Sequence, residues 1–128
     1  MICFPSCKIN LGLRITQKRA DGFHALETVF FPISIKDALE IIIEPDTNAA
    51  PITFTSSGLA INGDPSDNLC FKAYELLKKD YPTIPNIKMH LHKQIPMGAG
   101  LGGGSSDGAF TLIALNQIFD LQISEDKL

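Results

Sequence analysis

The chain has 128 residues, 45% of them hydrophobic, and a formal net charge of −3. This length fits one domain, and the apolar content is enough for a core and too high for a disordered chain. With 14 acidic against 11 basic residues, the composition gives no basic footprint for nucleic acid or an anionic membrane. A small anionic ligand, which needs only a local cluster of donors, remains possible.

Three cysteines, Cys3, Cys7 and Cys70, form neither a disulfide framework nor a zinc-finger pattern. Their odd number is typical of reduced thiols in a cytosolic protein. The N-terminus lacks the apolar segment of a signal peptide, and no apolar run approaches the roughly 20 residues that a membrane-spanning helix needs. We therefore expect a cytoplasmic protein with no nucleic-acid or membrane partner, whose oligomeric state the sequence leaves open.

Alternating apolar residues predict a hairpin near the N-terminus. Residues 8–15 alternate with period two, which predicts a strand and places Lys8 and Asn10 on the same face, away from the core. The Asp-Gly pair at residues 21–22 predicts a turn. Residues 26–33 should then return as a second strand, paired with the first.

The middle of the chain predicts two more strands and a helix. The strands are expected over residues 39–45 and 52–57. After a polar loop, Ser66 or Asp67 is the expected N-cap of the helix. The apolar residues of this helix are Leu69, Ala73, Leu76 and Leu77.

A further strand is expected from the alternation in NIKMHLHK, residues 86–93. The pattern places Ile87, Met89 and Leu91 inward, and Lys88, His90 and His92 outward. His90 and His92 are conceivable as a metal pair, but no third ligand is evident. We therefore interpret them as part of an exposed face.

A glycine-rich stretch, IPMGAGLGGGSSDGAF, occupies residues 95–110 and leads into a helix expected over residues 105–119. Its glycine spacing matches the dinucleotide-binding pattern GxGxxG, but that pattern belongs to the first turn of a parallel, doubly wound fold, and here at least four strands precede it. A P-loop needs a lysine before the hydroxyl residue, and Gly104 stands there instead. A flexible linker is the remaining alternative, although linkers seldom join a strand directly to a well-patterned helix.

The physical properties of this stretch favour phosphate binding. Glycine permits positive φ and a close approach of the ligand, and successive amides can form a concave anion site. The following helix offers free N–H groups and the positive end of its dipole, with the hydroxyls of Ser105 and Ser106 beside them. Asp107 is expected to support the helix start. The predicted apolar stripe of this helix is Ala109, Leu112, Ile113 and Phe119.

Two separated motifs resemble those of the GHMP kinases, the galactokinase, homoserine kinase, mevalonate kinase and phosphomevalonate kinase superfamily. PMGAGLGGGSSDGA resembles the second motif, whose general form is Pro-x-x-x-Gly-Leu-Gly/Ser-Ser-Ser-x-Ala, and SCKINLGLRITQKRADGFHALETVF resembles the first. DNLCFKA and HKQIPMG also fit. The triple glycine after leucine is similar to the branch of the family that phosphorylates a cytidyl-diphosphate sugar alcohol in isoprenoid precursor biosynthesis.

This resemblance implies a fold and a reaction. The fold would be α+β, a GHMP kinase N-terminal domain of the ribosomal protein S5 domain 2-like type over residues 1–128, with an antiparallel-rich sheet and helices packed on one side. The reaction would transfer the γ-phosphoryl group of ATP, accompanied by Mg²⁺, to the 2-hydroxyl of the cytidyl substrate. Another small-molecule kinase of the family and a non-catalytic nucleotide-binding domain are the alternatives.

The resemblance also implies roles for individual residues. Lys8 matches the catalytic lysine, Asn10 a residue near the reacting end of the substrate, and Phe23 and His24 the residues that hold the cytosine, with Phe23 where tyrosine is usual. No residue is assigned to a metal. The residues assigned to ATP are Asn68, Leu69 and Lys93 near the adenine, and Pro96, Met97, Gly98, Ala99, Gly100, Leu101, Gly102, Gly103, Gly104, Ser105 and Ser106 around the phosphates.

One expected part of the active site is absent from the sequence. The catalytic aspartate of the family lies in a Gly-[AS]-Asp-x-Pro motif, which would follow Leu128 together with a C-terminal domain. Ser124 and Asp126 resemble a helix start at which the chain stops. We therefore expect these residues to be the N-terminal part of a longer enzyme and to be inactive alone.

Overall fold

The structure, a computed structural model, describes the backbone of residues 1–128 and the side chains at every position except 125. The strands are β1 (Ile2–Cys3), β2 (Ser6–Lys18), β3 (His24–Lys36), β4 (Ala38–Ile43), β5 (Ile52–Gly58) and β6 (Ile87–Lys93). The helices are α1 (Leu69–Asp80) and α2 (Gly103–Ile118), and 3₁₀ turns cover Pro65–Asp67 and Glu125–Lys127. The predicted order of strands and helices is confirmed. β1 was not predicted, because two residues are too few to show alternation.

Four of the strands form a mixed sheet in the order β1-β4-β6-β5. β4 runs antiparallel to both β1 and β6, whereas β5 and β6 are parallel neighbours. Parallel neighbours need a crossover connection, and α1 lies in the chain between them. β2 and β3 form a separate antiparallel hairpin, which confirms the predicted pairing.

The core lies between one face of the sheet and the two helices. Its fully buried members from the sheet are Leu39, Ile41, Ile87, Met89 and Leu91, and those from the helices are Cys70, Tyr74, Leu77, Ala114 and Leu115. The inward face predicted for β6 is therefore confirmed. Lys93 continues that face two residues beyond Leu91 and is also buried.

Helix α1 begins at a different cap from the predicted one. The N-cap is Asn68, whose Oδ1 accepts a hydrogen bond from the Cys70 N–H at 2.8 Å. The prediction of Ser66 or Asp67 is wrong, because both lie in the preceding 3₁₀ turn, which Asp64 caps. An Asn cap satisfies one of the free N–H groups of the first helical turn as well as Ser or Asp would, so the local sequence offered several equivalent caps.

Helix α2 buries a different face from the predicted one. Its buried residues are Gly103, Asp107, Gly108, Thr111, Ala114 and Leu115. Ala109 and Ile113 are exposed, so the predicted stripe is wrong for these two positions. The helix turns a glycine and an aspartate towards the core, and neither is recognised by a hydrophobic pattern. A Cβ at Gly108 would lie 3.1 Å from the Cβ of Leu69, so the absence of a side chain there permits close packing against α1.

The β2–β3 hairpin leaves most of its large apolar side chains exposed. We call this the apolar hairpin surface: Leu11, Leu13, Ile15, Leu26, Val29, Phe30, Phe31 and Ile35. Its pairing register shifts at three places, one of them between Leu11 and Leu13. Such irregularities bend a hairpin and increase its twist.

Candidate active site

The glycine-rich stretch connects β6 with α2 as a loop of repeated left-handed turns. Gly98, Gly100 and Gly102 have φ values of 72°, 73° and 72°, while Ala99 and Leu101 between them have negative φ. Alternation of left-handed residues with others directs successive backbone N–H groups into a concavity that binds anions. Because an L side chain is strained at these φ values, the backbone conformation itself requires glycine at the three positions.

Helix α2 starts at the end of this loop with no side chain to cap it. Its N-cap is Gly102, and no side-chain hydrogen bond reaches the first turn. The N–H groups there and the helix dipole therefore favour an anion. The hydroxyl-bearing Ser105 is exposed and Ser106 is half-buried. Loop and helix start together have the features expected of a phosphate site.

Lys8 contacts this loop through its backbone and its side chain. Its N–H donates to the Leu101 carbonyl at 3.0 Å, and Nζ donates to the Gly100 carbonyl at 3.1 Å and to Asn10 Oδ1 at 2.5 Å. Nζ also lies 5.0 Å from the centroid of the Phe30 ring, within the range of a cation–π contact. None of the described carboxylates forms an ion pair with Lys8. Its positive charge thus has only neutral partners.

Lys93 has the opposite surroundings. Its side chain is 1% exposed, and Nζ donates to Asp37 Oδ2 at 2.5 Å and to Asp107 Oδ2 at 2.7 Å. Asp37 Oδ1 in turn accepts the backbone N–H groups of Gln94 and Ile95 at 2.6 Å and 2.9 Å. We call Asp37, Lys93 and Asp107 the buried ion triad. The Lys93 ammonium bonds to carboxylates of the protein itself. Its assignment to ATP therefore stays a prediction that Lys93 lies near the adenine.

The buried ion triad sets two carboxylates against one ammonium. Burial raises the pKa of Asp107 to about 6 despite the hydrogen bond from Lys93, and the negative charge of Asp37 adds to the rise. Burial also opposes ionisation of Asp37, but Lys93 and the two backbone N–H groups hold its pKa below the ordinary value. Burial would lower the pKa of Lys93, yet its hydrogen bonds to both carboxylates raise it.

Asp107 therefore has a different role from the expected support of the helix start. Its carboxylate is directed into the protein, where Oδ2 pairs with Lys93 and Oδ1 has no hydrogen-bond partner. The expectation was based on its position near the N-terminus of α2. What decides its role is that this position faces the core, where an inward lysine needs a buried acid.

A cavity of about 100 Å³ adjoins the triad and the loop. Its lining includes residues from the start of α1, from the loop and helix start, and from the triad: Asn68, Leu69, Met97, Gly104, Lys93 and Asp107. The tertiary structure thus brings the three residues assigned to the adenine into one cavity with residues assigned to the phosphates.

Phe23 and His24 lie at the other end of the β2–β3 hairpin. Phe23 is 72% exposed, so it is not a core residue, and His24 pairs in register with Lys18. Lys8 and Lys18 are ten positions apart on β2, which corresponds to roughly 30 Å of strand at ~3.3 Å per residue. The structure therefore brings Lys8 and Asn10 to the glycine-rich loop but does not bring the two residues assigned to the cytosine there.

The outward histidines of β6 bond to hydroxyls of the neighbouring strand. Ser57 Oγ lies 2.8 Å from His90 Nε2 and 2.9 Å from His92 Nδ1, and Thr55 Oγ1 lies 2.8 Å from His90 Nδ1. Both rings are half-buried on the sheet face away from the helices. The outward orientation predicted for them is confirmed.

Sequence reasoning missed Asp37, which ties the start of the loop to the triad. A signal for it existed in the alternation of β6. Lys93 has the same parity as Ile87, Met89 and Leu91, so the pattern places a lysine on the buried face. A buried ammonium requires a paired carboxylate, although the sequence alone does not indicate which aspartate lies close enough.

The fold and the glycine loop define the class of protein. The sequence of residues 68–128 matches the family described as GHMP kinases N terminal domain, and the fold predicted from the two motifs is confirmed. Over these residues the chain is similar to the N-terminal domains of GHMP kinases. A crystal structure of homoserine kinase from Cytophaga hutchinsonii shares this fold, with a TM-score of 0.60 at 18% identity over 74% of this chain and 30% of that one.

More similar relatives belong to one branch of these kinases. The chain is 55% identical over its whole length to the 4-diphosphocytidyl-2-C-methyl-D-erythritol kinases of Bacteroides thetaiotaomicron and Cytophaga hutchinsonii. A crystal structure of a 4-(cytidine 5'-diphospho)-2C-methyl-D-erythritol kinase matches 97% of the chain with a TM-score of 0.77 and 32% identity, over 42% of that protein. The chain covers 46% and 45% of the two relatives, so it spans less than half their length.

Proposed function

We propose that the protein containing this domain is an ATP-dependent kinase that phosphorylates the 2-hydroxyl of 4-diphosphocytidyl-2-C-methyl-D-erythritol, in the non-mevalonate route to isoprenoid precursors. One observation carries the proposal. An ammonium with only neutral partners, that of Lys8, contacts a loop of left-handed glycines at an uncapped helix start. The names of the similar kinases supply the substrate.

In this proposal the glycine-rich loop binds the triphosphate of ATP. The concavity formed around Gly98, Gly100 and Gly102 and the free N–H groups of α2 offer hydrogen-bond donors without a competing side chain. The adenine ring of ATP lies in the cavity lined by Asn68, Leu69 and Met97. Phosphoryl transfer depends mainly on positioning and on stabilising charge, and both are tasks that a preformed loop performs.

Lys8 stabilises the negative charge that develops on the transferred phosphoryl group and the attacking oxygen. Its ammonium is held in place by Asn10 and by the Gly100 carbonyl. Both partners are uncharged, so the ammonium keeps its full attraction for phosphate. Asn10 acts mainly by orienting the lysine, and in this proposal it lies near the reacting end of the substrate.

The phosphate charge of ATP would be partly neutralised by Mg²⁺ when it is bound. It needs few protein ligands in such a complex, because phosphate and water oxygens supply most of its coordination. The described residues include no group of three His, Cys, Asp or Glu side chains suited to hold a metal. The oxygen donors that the chain offers beside the loop are the hydroxyls of Ser105 and Ser106.

The catalytic base belongs, in this proposal, to a part of the enzyme outside these 128 residues. Asp37 and Asp107 are both paired with Lys93, so neither is free to deprotonate an alcohol. The domain alone is therefore expected to bind nucleotide and to catalyse no transfer. The full-length protein is expected to contain the base within a second domain.

The enzyme is expected to work in the cytoplasm. Cys3, Cys7 and Cys70 are free thiols, which suits a reducing compartment. Among the described residues no helix is both long and apolar enough to cross a bilayer.

The test is ADP formation by the purified full-length protein with a panel of alcohols. We expect turnover with 4-diphosphocytidyl-2-C-methyl-D-erythritol and none with homoserine or mevalonate, with the product phosphate on the 2-hydroxyl by ³¹P NMR. Turnover with another alcohol instead would indicate a different kinase of this fold. Tight ATP binding without any turnover would indicate a non-catalytic nucleotide-binding protein.

A further inference from the structure

The two ends of the glycine-rich loop meet at the buried ion triad. The loop leaves β6 through Gln94 and Ile95, whose N–H groups both bond to Asp37 Oδ1. It enters α2 at Gly103, and Asp107, one helical turn later, bonds to Lys93. One ammonium thus connects the strand before the loop with the helix after it.

The two ends of the loop are tightly packed against each other at this junction. Ile95 is fully buried, and a Cβ at Gly103 would lie 2.6 Å from Ile95 Cγ2 and 3.2 Å from Lys93 Nζ. The entry and exit of the loop are therefore in direct contact. The left-handed glycines lie between Ile95 and Gly103, and the triad determines the distance between these two residues.

The junction depends on the pairing of its three charged side chains. All three side chains of the triad are at most 3% exposed, and a buried charge without a partner is costly. Removing the Asp107 carboxylate leaves Lys93 paired with Asp37 alone. The ion pair between β6 and α2 is then lost. The first turn of α2 is then held to β6 by apolar contacts alone, which permit small shifts that an ion pair does not.

We propose that the buried ion triad is a clamp that sets the geometry of the phosphate-binding loop, so that Asp37 and Asp107 are positioning residues for nucleotide binding. The inference rests on the proposed function, since it assumes that the loop binds ATP phosphates. A misplacement of about 1 Å in a binding loop is enough to lose about two orders of magnitude in rate. A clamp at the base of the loop prevents such a misplacement without any contact with the ligand.

The experiment compares variants of the full-length protein by calorimetric titration with MgATP. Asp107→Ala breaks the bond to α2, and Asp107→Asn keeps it, because the amide oxygen still accepts from Lys93. We expect Asp107→Ala to weaken MgATP binding at least ~10-fold and Asp107→Asn to stay within about threefold of wild type. Rescue by the amide separates positioning from the charge of the aspartate.

The matched control is Lys88→Met on the same strand. Lys88 forms an ion pair with Glu44 on the outer part of the sheet, away from the loop. Lys93→Met should weaken MgATP binding, and Lys88→Met should leave it unchanged. Equal losses in the two variants would mean a general effect of charge removal on stability and would overturn the clamp.

Hydrogen exchange of residues 96–103 is a second readout that does not depend on the ligand. We expect faster exchange of these amides in Asp107→Ala than in wild type and no change in Lys88→Met. If Asp107→Ala does not fold, Asp107→Glu keeps the charge and displaces it by one methylene, and it should still weaken MgATP binding. Wild-type affinity and wild-type loop exchange in the folded variants would overturn the inference.

The outcomes also separate this inference from the proposed function. Titration with MgATP requires no alcohol substrate, so failure to phosphorylate the cytidyl compound leaves the test of the clamp intact. A wild-type protein that binds no MgATP would refute the proposed function, and loop exchange alone would then decide whether the triad holds the loop.

Discussion

Lys8 and Lys93 both lie beside the glycine-rich loop, yet their surroundings give them different chemistry. Lys8 bonds to an amide oxygen and a carbonyl, so its charge is available to a ligand. Lys93 bonds to two carboxylates and is buried, so its charge stabilises the protein. The partners of each ammonium, and not the distance to the loop, distinguish a candidate catalytic lysine from a structural one.

Lys8→Ala in the full-length protein should lower kcat/KM at least ~100-fold, since phosphoryl transfer depends on charge stabilisation. Stability should change little, because the partners left behind are neutral and accessible. Steady-state kinetics and thermal denaturation check the two statements. Lys79→Ala, an exposed lysine in the last turn of α1, is the control and should leave kcat/KM unchanged. Undiminished turnover in Lys8→Ala would remove Lys8 from the mechanism.

Asp107 should make stability depend on pH between about 4 and 6. Its pKa is about 6 in the folded chain against about 3.9 when unfolded, so the folded state binds the extra proton in this range. Stability conferred by the protonated carboxyl is complete below pH ~4 and is lost as pH rises through 6, by on the order of 3 kcal/mol. Urea unfolding of wild type and Asp107→Asn over this range measures the effect. We expect the wild type to lose stability relative to the variant as pH rises, and a constant difference would contradict the shifted pKa.

At the scale of elements, periodicity predicts which elements form and misses some of the faces they bury. The alternation in β6 predicts both the strand and its buried side, because each inward position is apolar until Lys93. The buried face of α2 contains Asp107 and Gly108, so hydrophobicity points to the neighbouring face instead. The α1 cap was misassigned because the sequence before the helix offers four residues whose side chains can cap it: Asp64, Ser66, Asp67 and Asn68.

The end of β5 depends on a glycine at position 58. Gly58 has φ of +81°, and a Cβ there would lie 2.2 Å from the Lys93 carbonyl oxygen. Gly58→Ala should therefore destabilise the protein by more than ~3 kcal/mol, from backbone strain and overpacking together. Gly63→Ala is the matched control, because Gly63 also has positive φ but open space around it, and it should cost only ~1–2 kcal/mol. Urea denaturation measures both losses, and similar values would show that the contact with Lys93 is unimportant.

At the scale of the whole molecule, the apolar hairpin surface has no partner in the described fold. Eight large apolar side chains are exposed on β2 and β3, and exposed apolar patches of this kind mark surfaces that associate. Self-association of the domain on its own would bury these side chains. We therefore expect it to associate through the hairpin.

The 128-residue domain, expressed alone, should form oligomers at micromolar to millimolar concentration in light scattering. Leu11 and Val29 pair across the hairpin, so the double variant Leu11→Lys/Val29→Glu removes two apolar side chains and keeps a favourable cross-strand pair. We expect this variant to be largely monomeric. Leu76→Glu, which removes an exposed apolar residue of α1, should associate as the wild type does. A monomeric wild-type domain would refute the prediction.

The local properties of the sequence determined the order of the elements, the hairpin, the inward side of β6 and the position of the glycine-rich loop. Periodicity, turn residues and two motifs are sufficient for these features, because each depends on residues that are neighbours in the chain. Only the tertiary structure decided which charges meet. Asp37, Lys93 and Asp107 come from three separate segments, and their pairing depends on a sheet register and a helix packing angle that no local pattern encodes. The same applies to Lys8, which is 92 residues from Gly100 in sequence and within hydrogen-bond distance of it in the fold.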